Sequence, residues 1–459
     1  MGETRALLDR RRFIAAAAAF PVARALPAFA QEAKRADYAL TIAPVSLELA
    51  PGKVIKTIGY NGQVPGPLIR VREGQTVAID ITNRSANAEI VHWHGLEIPS
   101  LADGAMEEGA PMIAPGETQL VTFTAKPAGT RWYHTHAAAK TDLTKGLYSG
   151  QFGFFYIEPA HEPGAYDREV FIALHHWEPQ WVSLQDIRKG PPPDNGLEVI
   201  YGAASFNDRA LGHGDPIKVK EGERVLFRIC NTSATQETAV ALPGHTFTIV
   251  AMDGNPLAKP QPADSLYLAP AERIDAICEM KNKGVWVFGS VIDDERNMGM
   301  GAVVEYAGAT GEPQWTPTKP KMIDYTMFGS ATPAPEPDAR IDLVFNKIPG
   351  GRGGWNRWTI NGKSFPDTDP IMVQQGKRYR LIMHNLSGDM HPIHLHRHRF
   401  EVTNFMGHAM SGLIKDVAIL PGRHDGEIDF VANNPGDTLF HCHMQDHQDF
   451  GFMNLVKYA

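Results

Sequence analysis

His441-Cys442-His443-Met444-Gln445-Asp446-His447 is the stretch on which the reading of this chain turns. Three histidine strings precede it: His92-Trp93-His94, His134-Thr135-His136, and His391-Pro392-Ile393-His394-Leu395-His396. Together the four strings hold ten histidines and one cysteine. Imidazole with thiolate is a donor set for copper or zinc. Side chains alternate faces along a β-strand, so an H-x-H pair aims both rings at one face, about 6–7 Å apart. That spacing is too long for one ion and suits two neighbouring ions. In H-C-H the cysteine points to the opposite face and serves a second centre. Cys442, His447 and one further histidine make a trigonal His2Cys set, the blue-copper arrangement. A zinc finger would bring closely spaced cysteines, whereas Cys230, Cys278 and Cys442 stand far apart in this chain.

An internal repeat sets the organisation. Gly74 precedes Asn83 by nine residues, Gly222 precedes Asn231 by nine, and Gly376 precedes Asn385 by nine. A serine and then a histidine (His92, His245, His391) follow each Asn. The glycines lie 148 and 154 residues apart, so each unit is one domain. Each unit continues through a Pro turn: Ala114-Pro115-Gly116, Ala269-Pro270-Ala271, Leu420-Pro421-Gly422. Gly129 and Gly436 then stand five residues before His134 and His441. In the middle unit Gly284 is followed by Val285-Trp286-Val287-Phe288-Gly289, without histidine. The outer units therefore carry the metal ligands. Alternating stretches such as Val77–Ile81, Leu120–Phe123 and Val225–Ile229 read as short strands between Gly and Pro turns. This is an all-β chain of three consecutive cupredoxin-like Greek-key β-sandwich or barrel domains. We place the first over 31–160, the second over 161–310, and a linker with the third over 311–459. The stretch from Gly308 to Arg340 carries six prolines and reads as an extended linker.

The bulk properties agree with a loop-rich globular protein. The 459 residues include 43 Gly and 34 Pro, and hydrophobic residues make up 43%. The formal net charge of -8 gives no reason to expect a nucleic-acid partner. Residues 1–30 read as a signal peptide of twin-arginine type. Arg10-Arg11-Arg12 opens it, an apolar run from Ala15 to Ala23 follows, and Ala28-Phe29-Ala30 offers a cleavage site. Its removal takes away five Arg and two acidic residues and leaves a net charge of -11. The expected destination is the periplasm, with no membrane span beyond the leader. Cys230 and Cys278 read as two buried thiols, with a disulfide left open.

In these motifs the chain resembles the three-domain multicopper oxidases: laccases, cuprous oxidases and bilirubin oxidases. HWHG, HTH, HPIHLH and HCHMQDH match that family's four copper motifs in order. The resemblance implies four copper ions: one type 1, one type 2 and a type 3 pair. By matching positions, His92 and His394 would bind the type 2 ion. His94, His134, His136, His396, His441 and His443 would bind the type 3 pair, and His391, Cys442 and His447 the type 1 ion. Two strings lie in the first domain and two in the third, so those domains must meet at the cluster. The implied reaction takes one electron at a time from a small reducing substrate, through the exposed edge of His447 and then Cys442, and reduces O2 to water. Asp103 and Asp446 match the family's proton-donating acids. Asp416 aligns with an acid that orients a type 1 histidine. The weak axial position, ten residues after Cys442, is Phe452; a local bulge would bring Met453 there instead.

The other histidines belong to no complete ligand string. His175 and His176 read as domain-interface packing and His245 as structural. The 16 methionines are scattered, with Met298 and Met300 the close pair, which points to phenols or aromatic amines over a specialised cuprous oxidase. A periplasmic copper or manganese oxidase is the alternative. A monomer is expected, since one chain carries the whole ligand set.

Overall fold

The computed structural model describes residues 36–162, 164–183, 196–319, 321–350 and 354–459. The expected signal peptide lies outside the described residues. No described helix is long and apolar enough to cross a membrane.

Three β-sandwiches follow one another. In the first, one sheet orders the strands Lys53–Tyr60, Tyr38–Ala50, Thr76–Asn83 and Thr118–Thr124. Its partner orders Gly66–Arg72, Phe152–Glu158, Gly129–Thr135 and Val91–His94. The second and third sandwiches each pack a six-stranded sheet on a five-stranded one. In each, parallel and antiparallel neighbours mix, because a later strand returns to lie beside the domain's first and runs parallel to it; Tyr38–Ala50 pairs this way with Thr76–Asn83, and Ala339–Ile348 with Arg378–Asn385. Period-two burial explains the register. In Arg378–Asn385, Tyr379, Leu381, Met383 and Asn385 face inward and the residues between them are part-exposed.

The repeat has a structural reason. Gly74, Gly222 and Gly376 each turn the chain with positive φ (81°, 83° and 83°) just before a strand. The strand ends on the repeat asparagine. Asn83, Asn231 and Asn385 each accept from the backbone N–H two residues on, at Ser85, Ser233 and Ser387. Each amide also donates across to the Pro-turn segment, at Ile113, Leu268 and Pro421. One buried side chain thus ties two loops of the sandwich together in all three copies.

The linker is not simply extended. Tyr325–Met327 forms a single 3-10 turn, and Tyr325 is buried against Phe405 at 4.7 Å between ring centroids. Cys230 and Cys278 are free and buried. In the pairing of Arg224–Asn231 with Arg273–Glu279, Cys278 stands opposite Val225 and Cys230 opposite Arg273. Five residues of strand, roughly 17 Å, separate the two thiols, well beyond disulfide reach. Met300 is buried and Met298 packs on the same core, so the close methionine pair builds the middle sandwich.

Candidate metal centre

Sheet register brings the histidine strings face to face. In the first sandwich His92 pairs with His134, and in the third His394 pairs with His441. The two sandwiches then place these pairs against each other in one buried cluster. His94 and His394 stack at 3.8 Å between ring centroids, and His92 and His396 at 4.0 Å. His136 lies 5.4 Å from His441, and His443 lies 5.0 Å from His94 and 5.2 Å from His134. All eight rings are buried. His175 and His176 stay outside: His175 stacks on Phe152 at 4.6 Å, at the join of the first two sandwiches, as expected of interface packing.

Six of the eight rings are oriented through one nitrogen. His92 and His394 donate from Nδ1 to the backbone carbonyls of Asp103 (2.9 Å) and Asp416 (2.7 Å). His134 and His441 donate from Nδ1 to the carbonyls of their own following residues, Thr135 and Cys442, both at 2.8 Å. The two carboxylates then reach across the domain boundary. Asp103, in the first sandwich, takes His396 Nδ1 at 2.8 Å. Asp416, in the third, takes His94 Nε2 at 3.1 Å. The free nitrogens turn toward one another. His94 Nδ1 lies 3.4 Å from His134 Nε2, and His396 Nε2 lies 3.0 Å from His441 Nε2. His92 Nε2, His394 Nε2 and both nitrogens of His136 and His443 are buried without a hydrogen-bond partner.

Such crowding of acceptors is unfavourable in a dry interior unless cations fill it. Burial first, then mutual repulsion, holds His134, His136, His396, His441 and His443 well below the usual imidazole range. The neutral ring is the metal-binding form. Ligand atoms of His92, His394 and His396, of His92, His94 and His134, and of His136, His396 and His441 lie within bridging distance of one ion in each trio.

A separate trio stands on the far side of the H-C-H segment. Cys442 Sγ is 3.4 Å from His447 Nδ1 and 3.7 Å from His391 Nδ1, and the two Nδ1 atoms are 3.1 Å apart. A point equidistant from all three lies about 2.0 Å from each, the length of a metal–imidazole bond. Ser387 Oγ fixes the outer nitrogen of His391 at 2.9 Å. Burial pushes the Cys442 thiol well up and brings His391 down to about 3. A bound cation would deprotonate such a thiol. Both donor sets therefore fit copper ions.

Phe452 closes the His2Cys pocket. Its ring is fully buried and lies 4.7 Å from His391. Met453 pairs with His441 across the sheet and packs with Ala105 and Leu439 in a different cluster. No bulge brings Met453 to Cys442. Strand alternation alone decides between the two.

Three readings need correction. Asp416 orients His94 and His394, not a type 1 histidine. Its position beside Val417–Leu420, the strand next to His391–Leu395, carries the carboxylate inward to the cluster. The edge of His447 is far less open than expected: the residue is 6% exposed, and Trp358 covers its ring at 3.9 Å between centroids. His245 is structural, held by Tyr306 at 2.6 Å, but it is not the counterpart of His391. By sheet register that place belongs to Thr238, which faces Leu268 as His391 faces Leu420.

The two expected acids differ in burial: Asp446 is part-exposed, on the helix Gln445–Asp449. Asp103 is fully buried between His92 and His396. Burial raises Asp446 to about 7, and its Oδ1 has no partner. Glu108 was missed. It lies 3.4 Å from His396, donated to by Leu439 N–H, and burial beside Asp103 raises its carboxyl well up. No ligand motif contains it, so only the packing of Met106–Glu108 against Thr438–Cys442 places it there.

Family models described as multicopper oxidase match residues 42–162, 179–309 and 336–459. A multicopper oxidase of Mycobacterium tuberculosis, MmcO, is 30% identical over 91% of this chain and 86% of its own length. Laccase-2 of Podospora anserina is 27% identical over 90% of this chain and 77% of its own. The solved structure of a multicopper oxidase from Pseudomonas thermotolerans superposes with a TM-score of 0.71 at 25% identity, covering 93% of this chain and all of that one. The chain thus belongs to the multicopper oxidase family, and is a copper-dependent oxidoreductase that uses O2 as its acceptor.

Proposed function

We propose that this protein is a laccase-like oxidase of phenols and aromatic amines that holds four copper ions. His391, Cys442 and His447 would hold the type 1 ion, and His92 and His394 the type 2 ion. His94, His134, His136, His396, His441 and His443 would hold the type 3 pair. Copper, when bound, supplies one-electron storage and the four-electron reduction of O2 to water. The chain supplies the rest. Cys442 is peptide-bonded to His441 and His443, so one covalent path joins the two centres. The buried cluster keeps bulk water from the reduction. Asp446, raised to about 7 by burial and three residues after His443, can hold a proton near neutral pH, and Asp103 accepts from His396 at the cluster.

The aromatic cover over the His2Cys site carries the substrate assignment. Trp358 lies on His447; Trp355 stacks on Phe450 at 5.3 Å, and Trp181 meets Trp355 edge-on at 4.7 Å. Part-exposed indole and phenyl rings favour an aromatic reductant by stacking. Phe452 supports the same reading, because a non-ligating axial group favours the reduced ion and a high potential. The metal-ion reading rests on Glu198 and Asp389 nearby. Both are ion-paired to Lys347, which argues against a free cation cup. We place this enzyme in the periplasm as a monomer exported by the twin-arginine route, with domains at 31–160, 161–310 and 311–459. Oxygen uptake by copper-loaded protein, comparing a dimethoxyphenol with Cu(I), tests the assignment. Faster phenol turnover supports it. Faster Cu(I) turnover moves the function to metal tolerance.

A further inference from the structure

The middle sandwich holds none of the ligand strings, yet its residues reach the histidine cluster. Asp416 stands behind His94 and His394, and its carboxylate is gripped from the other side by Arg273. Arg273 Nη1 donates to Oδ1 and Nη2 to Oδ2, both at 2.6 Å, a two-pronged grip. Arg131 of the first sandwich adds a third bond to Oδ2 at 3.1 Å. Arg273 also donates to its own domain at the carbonyls of Ala271 (3.0 Å) and Asp253 (3.2 Å), which anchors the guanidinium. Asp253 in turn takes Lys415 Nζ at 2.9 Å and the N–H of Val417 at 3.1 Å, and Glu272 takes Lys415 at 3.0 Å.

All six of these charged side chains are fully buried. Three are positive (Arg131, Arg273, Lys415) and three negative (Asp253, Glu272, Asp416). The first sandwich brings one cation, the third brings Lys415 and Asp416, and the middle brings Arg273, Asp253 and Glu272. The sum is zero, and the third sandwich's Asp416 and Lys415 find their opposite charges only across a domain boundary, Asp416 with Arg131 and Arg273 and Lys415 with Asp253 and Glu272; a buried charge left without its partner is strongly unfavourable. Close approach is built in at Gly95, which follows His94 in the sequence. A Cβ there would fall 2.6 Å from Asp416 Oδ2 and 2.8 Å from Arg273 Nη2.

We propose that Arg273 is a positioning residue for the trinuclear site: it locks the Asp416 carboxylate that aims His94, so the ligand-free middle domain takes part in building the cluster. The proposal rests on reading the cluster as a copper site. Arg273→Lys keeps the charge and loses the planar fork. In the copper-loaded full chain, this variant is expected to keep the blue type 1 absorption. Its type 2 electron-paramagnetic signal and type 3 absorption should change, and copper affinity at the cluster should fall on the order of 10–100-fold. Arg228→Lys is the control. Arg228 is an equally buried arginine of the middle sandwich, paired with Asp275 at 2.7 Å, and has no contact with the cluster histidines. It should leave all copper signals unchanged.

Wild-type trinuclear signals and affinity in a folded Arg273→Lys protein would overturn the proposal. So would equal disturbance in both variants, which would mean general domain docking. Should Arg273→Lys not fold, the neutral double variant Arg273→Met/Asp416→Asn decides: disturbed type 2 and type 3 signals beside an intact type 1 band support positioning, and normal signals refute it. A wild-type chain that binds copper without trinuclear signals would sink the oxidase reading and this inference together.

Discussion

Cys442 in the third sandwich and Ser290 in the middle one occupy the same place in the same sheet. Cys442 faces Ile393 across the strand pair, and Ser290 faces Val240. One residue earlier, His441 faces His394, whereas Gly289 faces Ala241. In the first sandwich the corresponding pair is His134 and His92, and Thr135 takes the cysteine's place. Three copies of one scaffold thus hold a two-centre half-site, a one-centre half-site and none. Between the middle and third copies, which share a six-stranded sheet on a five-stranded one, the difference lies in the side chains at these positions. The middle copy has also closed the option: a Cβ at Gly289 would lie 2.8 Å from the carbonyl oxygen of Met300. Its contribution has moved from ligands to charge, through Arg273, Asp253 and Glu272.

The sharpest way to break this comparison is to make the third sandwich resemble the middle one. Cys442→Ser should abolish blue absorption and bring turnover to background, while copper remains at the histidine cluster; metal analysis with visible spectroscopy reads both. Removing copper altogether should destabilise the outer sandwiches far more than the middle. With metal at a thousand times Kd, each site contributes about 4 kcal/mol, so chelation should lower the melting temperature in a calorimetric scan.

Asp446 gives a pH test. Burial raises its carboxyl to about 7, so it is protonated below that pH and able to donate, and ionised above it. Turnover should fall as pH rises through about 7 in wild type, and Asp446→Asn should lose this limb and run several-fold slower throughout. A limb unchanged in the variant would remove Asp446 from proton delivery. Phe452→Met should lower the type 1 potential by on the order of 59 mV, a tenfold change in the one-electron equilibrium, measured by redox titration. The smallest effect is expected from Ser290→Cys, which gives the middle strand the third strand's cysteine. It loses the 2.7 Å bond to Glu295, worth about 1 kcal/mol, and should create no second blue centre, because no histidine stands at Thr238.

Much of the site was legible because its chemistry is local. An H-x-H spacing on a strand declares a shared face, and the glycine-to-asparagine interval declares the repeat, since both depend on backbone period. The axial choice of Phe452 over Met453 followed from the same alternation. What failed had no local signature. The cover of His447 by Trp358 joins residues nearly ninety positions apart, and Glu108 meets His396 only through packing. Asp416 sits near His391 by sheet neighbourhood, but its side chain points to the opposite centre.

The sequence by itself determined the all-β class, the threefold repeat and the candidate ligand strings, because donor type and strand period are properties of short segments. Only the tertiary structure decided which ring faces which, which carboxylate crosses to which domain, and that the middle sandwich closes a balanced knot of buried charge beneath His94. Those depend on surfaces brought together from all three domains, and the energy of a buried charge is set by its neighbours in space rather than by its neighbours in the chain.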